Sequence, residues 1–169
     1  MIACLVLAAP VSAQRRSDPL TPIEIDQLRD TAQDADLRLK LYITFARTRL
    51  DALDKARAEA KAADRGQVTH DGLQDFLDVY DELNENVDTF ADRKADMRKV
   101  LKFVLEADNE FQAKLRALKQ SATATPDEMK QYDFLLANTL ETLDSSAQDH
   151  RQLLSEQEEA AKHKKPVKH

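Results

Sequence analysis

Residues 73–90 read LQDFLDVYDELNENVDTF, and residues 91–118 continue ADRKADMRKVLKFVLEADNEFQAKLRAL. Large apolar side chains recur there at three- and four-residue steps: Leu73, Phe76, Tyr80, Leu83, Val87 and Phe90, then Met97, Leu101, Val104, Phe111, Leu115 and Leu118. That spacing lays them on one stripe of a helix, and a stripe held for about 46 residues is the pattern of a left-handed coiled-coil seam. Neither glycine nor proline interrupts it, and Lys94 and Asp108 are its polar intruders. The charged run Asp92-Arg93-Lys94-Ala95-Asp96 is where such a helix could stop. The unbroken register favours one helix over 70–120, on the order of 75 Å long. A break near 91–96, which would make a four-helix bundle, is the alternative.

Both neighbouring segments carry the same start signal. Thr21-Pro22-Ile23-Glu24 and Thr125-Pro126-Asp127-Glu128 each offer a threonine cap, a proline at the first helical position and a glutamate placed to close a capping box. Ile25, Leu28, Ala32, Ala35, Leu39, Tyr42, Ala46, Leu50, Leu53 and Ala56 then predict a helix over 22–63. Met129, Tyr132, Leu136, Leu140, Leu143, Ala147, His150 and Leu154 predict one over 126–161. The two start motifs could mark a duplicated unit, but local capping explains each residue in them. Connectors at Gly66–Thr69, with Thr69 or Asp71 as the next cap, and at 121–124 make consecutive helices antiparallel neighbours. This register sets Tyr42 near Ala91 and Phe134 near Gln112. The expected fold is therefore all-α, an elongated antiparallel three-helix bundle or coiled coil occupying 21–161.

Composition agrees. The 169 residues include two glycines, five prolines and no tryptophan, too few turn formers for a sheet protein. With only Gly66 and Gly72, a P-loop or dinucleotide fingerprint is excluded. Alanine supplies 24 of the apolar residues, so large core side chains are scarce. The net charge is −6, and the final stretch carries Lys162, Lys164, Lys165 and Lys168 without an acid, leaving −10 on the rest. An acidic body argues against nucleic acid as a partner.

The N-terminal segment reads as an address. Ile2 to Val11 is almost wholly apolar and leads to Val11-Ser12-Ala13, the pattern of a secretory signal peptide cut after Ala13, although a basic leading segment is absent. The run is too short to span a bilayer. Residues 14–20 then form a disordered lead and 162–169 a basic, disordered tail able to touch an anionic envelope surface weakly. Cys4 is the sole cysteine, so the mature chain has no thiol chemistry and suits a periplasmic or extracellular setting.

Motifs for catalysis or metal binding are weak. No Glu-x-x-His or His-Glu-x-x-His occurs. Met97, Met129 and His150 could ligate haem, but methionine at a heptad position is ordinary core and one interior histidine is ordinarily hydrogen-bonded. His163 and His169 could bind a metal adventitiously, with a solvated tail the simpler expectation. Ser145, Ser146, Asp149 and His150 cluster in sequence, yet a long regular helix consumes the N–H groups an oxyanion hole would need. No enzyme activity and no cofactor are expected. Lys94 can extend its charge out along its stem, whereas Asp108 either fixes register or lies where the bundle opens.

The last signal is apolar excess. Leu37, Leu39, Leu41, Tyr42, Ile43 and Phe45 point all round the first helix, as do Val100 to Leu105 and Phe134 to Leu136 on the others. A three-helix bundle leaves part of that surface uncovered. The expectation is an interaction surface containing Leu37, Leu41, Phe45, Phe103 and Phe134. It would be met by a protein partner or by self-association as a homodimer. An exported interaction or scaffold module of a bacterial-type envelope is the leading function. A periplasmic holdase-type chaperone and a haem- or small-ligand-binding bundle are the alternatives.

Overall fold

The computed structural model describes residues 18–121 and 124–163. The expected signal peptide, residues 122–123 of the second connector and the tail beyond His163 lie outside them. Within them the chain is all-helical: α1 Pro22–Leu28, a 3-10 turn Arg29–Thr31, α2 Ala35–Glu59, α3 Arg65–Asp92, α4 Arg98–Lys119, α5 Pro126–Met129 and α6 Asp133–His163. A helical bundle is what the periodicity predicts. The continuous helix over 70–120 is corrected, and the alternative with a break near 91–96 describes the chain.

That break is a complete helix stop. Lys94 adopts φ 59, the left-handed conformation usually given to glycine. Its N–H donates to the Ala91 carbonyl at 2.8 Å, and the Ala95 N–H donates to the Phe90 carbonyl at 3.0 Å. These two bonds are the Schellman pair that ends a helix. Gln157 of α6 then clamps the turn, accepting from the Met97 N–H at 2.9 Å and donating to the Ala95 carbonyl at 3.1 Å. Lys94 is therefore a turn residue and not a seam residue reaching outward. Phe90 and Met97 stand one heptad apart, so the turn consumes a whole repeat and leaves the apparent register intact.

The other two predicted helices are also divided. Asp34 accepts from the Leu37 N–H at 2.9 Å and starts α2 afresh. Arg38 donates to the Leu28 carbonyl and to Thr31 Oγ1, which fixes the turn between α1 and α2. α5 and α6 are separated by a turn at 130–132. Asp64, not Thr69 or Asp71, stands at the start of α3, and Gly66 lies buried inside that helix. Gly72 gives α3 its close approach to α2, since a Cβ there would meet Leu53 Cδ1 at 2.7 Å.

Four long helices make the body. α2 and α3 run antiparallel, with Arg38 bonded to Asn86 at 2.6 Å and Tyr42 facing Glu82 at 3.5 Å. Tyr42 thus lies beside Glu82 and not Ala91, because the turn comes earlier than expected, between Glu59 and Arg65. α4 and α6 are also antiparallel, through Lys102–Glu158, Asp108–His150 and Arg116–Asp144. Gln112 consequently donates to the Leu143 carbonyl and is not opposite Phe134. α2 and α4 run parallel: Arg47–Glu110 and Lys114–Asp51 each join residues 63 apart, and Lys99–Asp36 and Lys40–Phe103 keep that offset. α3 and α6 are parallel too, with Asn84–Ser146 and Ala95–Gln157 each 62 apart. α3 and α4 each pack on α2 and α6. They meet across the core through Phe76 and Phe111, whose ring centroids are 5.3 Å apart.

Candidate functional site

The polar intruder Asp108 and the interior His150 meet at the centre of this bundle. Folding α4 back along α3 brings Asp108 opposite Tyr80, and the antiparallel α6 supplies His150. The Tyr80 hydroxyl donates to Asp108 Oδ1 at 2.8 Å, and His150 Nδ1 lies 2.9 Å from Oδ2. Asp108 and Tyr80 are fully buried and His150 is 3% exposed. A carboxylate in such a place is stable only with partners, and here one sits on each oxygen. Burial pushes the Tyr80 phenol far up, the Asp108 charge adds to that, and the Ser146 hydroxyl pulls weakly the other way. Tyr80 therefore stays a proton donor to Asp108 at any ordinary pH.

Two i,i+4 pairs extend the network. Asn84 lies one turn beyond Tyr80 on α3, and Ser146 one turn before His150 on α6. Asn84 Nδ2 donates to Ser146 Oγ at 3.1 Å, while Asn84 Oδ1 is buried without a hydrogen-bond partner. Above them a groove of about 260 Å³ runs between α3 and α6, bounded by Asn84, Asp88, Ser146, Asp149, His150 and Glu156, with Val87, Ala91 and Leu153 as its apolar part. Phe76, Tyr80 and Phe111 pack edge-on or stacked behind the network and fix the phenol in place.

This arrangement orients a histidine, but it does not build a nucleophile. Ser146 bonds Asn84, and its backbone belongs to the helix. Asp149 and Ser145 are exposed. Met97 is fully buried in the core, Met129 is partly buried against the core, and His163 ends α6. Among the described residues, no group of three or more His, Cys, Asp or Glu is placed to hold a metal ion, and no helix is long and apolar enough to cross a membrane.

The predicted interaction residues are divided between the core and the surface. Phe45 is 4% exposed and belongs to the core, with Leu41 packed against it. Leu37, Phe103 and Phe134 are exposed, Phe134 most of all at 87%. The Phe103 ring carries the Lys40 ammonium 4.6 Å from its centroid. Much of the apolar excess is absorbed by α4, which provides from within the chain the fourth face that a three-helix layout lacked.

Sequence reasoning overlooked two further ionic centres, both built by the paired start motifs. Glu24 closes its capping box through the Thr21 N–H at 2.8 Å and also holds Arg49 at 2.6 Å. Burial alone would raise the Glu24 carboxyl, but Arg49 and Thr21 outweigh it and hold it below the usual value. Glu128, 4% exposed, holds Arg57 at 3.1 Å and lies 3.8 Å from Arg65. Arg57 also bonds Thr69 and sits over the Tyr132 ring. Each motif therefore caps its own short helix and pins it to an arginine of α2. The comparisons with protein-family models, curated proteins and solved structures gave no match to this chain.

Proposed function

We propose that this chain is an exported, non-enzymatic helical-bundle protein that acts by protein–protein contact, as an interaction or scaffold module of a bacterial-type cell envelope. The observation that carries the reading is Phe134. Phe134, 87% exposed, is the most exposed large apolar side chain among the described residues, and a partner surface that buried it would gain an aromatic anchor. The apolar segment at 2–11 with its Ala13 site supports export. The holdase alternative is less favoured, because the large exposed apolar residues Ile23, Ile25, Leu37, Phe103 and Phe134 are spread over α1, α2, α4 and α6. A cradle for unfolded chains needs a continuous apolar face.

In-cell photo-crosslinking tests this. A photoreactive phenylalanine analogue placed at 134 is expected to give one adduct of discrete mass, while the same group at exposed Glu141 gives none. A smear of many masses would favour the holdase, and no adduct at 134 would contradict both readings.

A further inference from the structure

We propose that this chain exchanges halves with a second copy of itself, by opening the turn between α3 and α4 into helix. The dilute chain is the closed monomer described above. In the dimer formed at high concentration, α3 and α4 join into one helix from Arg65 to Lys119. Each of its two four-helix bodies then combines α1, α2 and α3 of one chain with α4, α5 and α6 of the other. This exchange needs neither Phe134 nor a foreign partner, so it stands apart from the contact reading.

The chain is already divided for such an exchange. α2 packs most extensively on α3, and α4 on α6, so the two halves are helical hairpins joined by the turn at Lys94. The bonds between the halves include Arg47–Glu110, Asn84–Ser146, Arg57–Glu128 and Tyr80–Asp108. A second copy offers the same partners, so exchange re-forms each of them between chains.

The register across the turn fits the open form as well as the closed one. Phe90 and Met97 are seven residues apart, which carries a straight helix through two turns less about 20°. Opening therefore leaves the stripe from Leu73 to Phe90 and the stripe from Met97 to Leu118 on one side, where the second chain lies. A turn that used a different number of residues would aim one of them at solvent. Tyr80 and Asp108 each stand 14 residues from Lys94, so a two-fold axis beside Lys94 restores their bond across the dimer.

The turn itself is held shut by little. Neither glycine nor proline lies between Leu73 and Gln120, and Lys94 takes the left-handed conformation at φ 59. Opening returns Lys94 to a helical φ and relieves that strain. It also gives the Met97 N–H and the Ala95 carbonyl helical partners in place of Gln157, whose side chain is the clamp on the closed form. A short, strained hinge between two well-packed halves favours exchange between copies.

The test anneals the full chain, carrying Cys4→Ser, just below its melting temperature at rising concentration, and counts dimers by sedimentation velocity in the cold. A dimer fraction that grows with concentration is expected. Spin labels at Asp75→Cys and Ala113→Cys, with labelled chains diluted into unlabelled ones, should stand about 57 Å apart in that fraction and about 30 Å or less in the monomer. Lys94→Gly should weaken dimerisation by about tenfold or more, because it acts at two hinges per dimer. Gln157→Ala should strengthen it. The proposal is overturned if neither the parent nor Gln157→Ala forms a dimer up to about 1 mM. It is equally overturned by a dimer that keeps the short distance, or by Lys94→Gly dimerising like the parent.

Discussion

His150 Nδ1 and Asp108 Oδ2 lie 2.9 Å apart at the centre of the bundle, joining the antiparallel helices α4 and α6, and the fold-back at Lys94 brings Tyr80 of α3 to the other oxygen of the same carboxyl. Each residue interrupts an otherwise apolar series on its own helix, and each is the other's reason for being there. Removing Asp108 strands both the imidazole and the Tyr80 hydroxyl. Asp108→Ala is expected to destabilise the protein by about 3 kcal/mol or more, and Tyr80→Phe by about 1 kcal/mol. Urea unfolding of both variants and of the double variant checks this. Additive losses would show that the two residues do not share a network.

Lys94 gives a prediction whose sign depends on the fold. A non-glycine residue in the left-handed region is strained by about 1–2 kcal/mol. Lys94→Gly should therefore raise stability by about 0.5–1 kcal/mol, since glycine relieves the strain at some entropic cost. In an uninterrupted helix the same change would lower stability by about 1 kcal/mol. Thermal melts of the variant distinguish the two.

Much of this architecture is legible in the sequence, and the failures have specific causes. Apolar periodicity identified the helical segments and most of the core from Leu39 to Leu143, but not Ile43, Phe45, Leu77, Val79, Val100 or Ala107, which lie off its stripe. It missed the turn at 93–97 because that turn spans Phe90 to Met97 with the heptad count preserved, and because a lysine occupies a position where glycine is the usual signal. The candidate site was half visible. Asp108 and His150 stood out as polar intruders, and pairing them was the available inference. It could not be drawn from a third helix starting at 126, because α5 and the turn at 130–132 take up residues before α6 begins and set the α4–α6 register. Asn84 and the ion pairs of Glu24 and Glu128 gave no sequence signal beyond capping, since their arginine partners lie 25 and 71 residues away.

Acid should weaken the protein through two carboxyls and relieve it through a third. The Arg47 guanidinium holds the Glu110 carboxyl below its usual value near 4.5, and Arg49 with Thr21 does the same for Glu24 against the opposing effect of burial. The stability each contributes is present above its unfolded pKa and lost as pH falls through its folded one. Glu82 is raised by burial first, then by Glu85 and Asp18, so its contribution is present at low pH and lost as pH rises through its folded value. Denaturant midpoints across pH 3–7 should show a shallower acid limb in Glu24→Gln and Glu110→Gln. Glu82→Gln should gain stability near neutrality and none at the acid end.

Glu128 is expected to matter more than its place in a four-residue helix suggests. Its removal leaves Arg57, a largely buried cation, without its carboxylate. Glu128→Ala should cost about 3–5 kcal/mol. Asp127→Ala, one residue away and exposed, should stay within about 0.5 kcal/mol. Equal effects in chemical denaturation would contradict the pinning of α5 to α2.

The fold-back at Lys94 is what creates the site, and one distance tests it. Spin labels are attached to Asp75→Cys and Ala113→Cys in a Cys4→Ser background, with labelled chains diluted into unlabelled protein. In a continuous helix those positions are about 57 Å apart. Pulsed electron–electron resonance is predicted to give a single distribution at about 30 Å or less, the width of two helices. A distribution centred near 57 Å would contradict the fold-back, and with it the meeting of Tyr80 and Asp108.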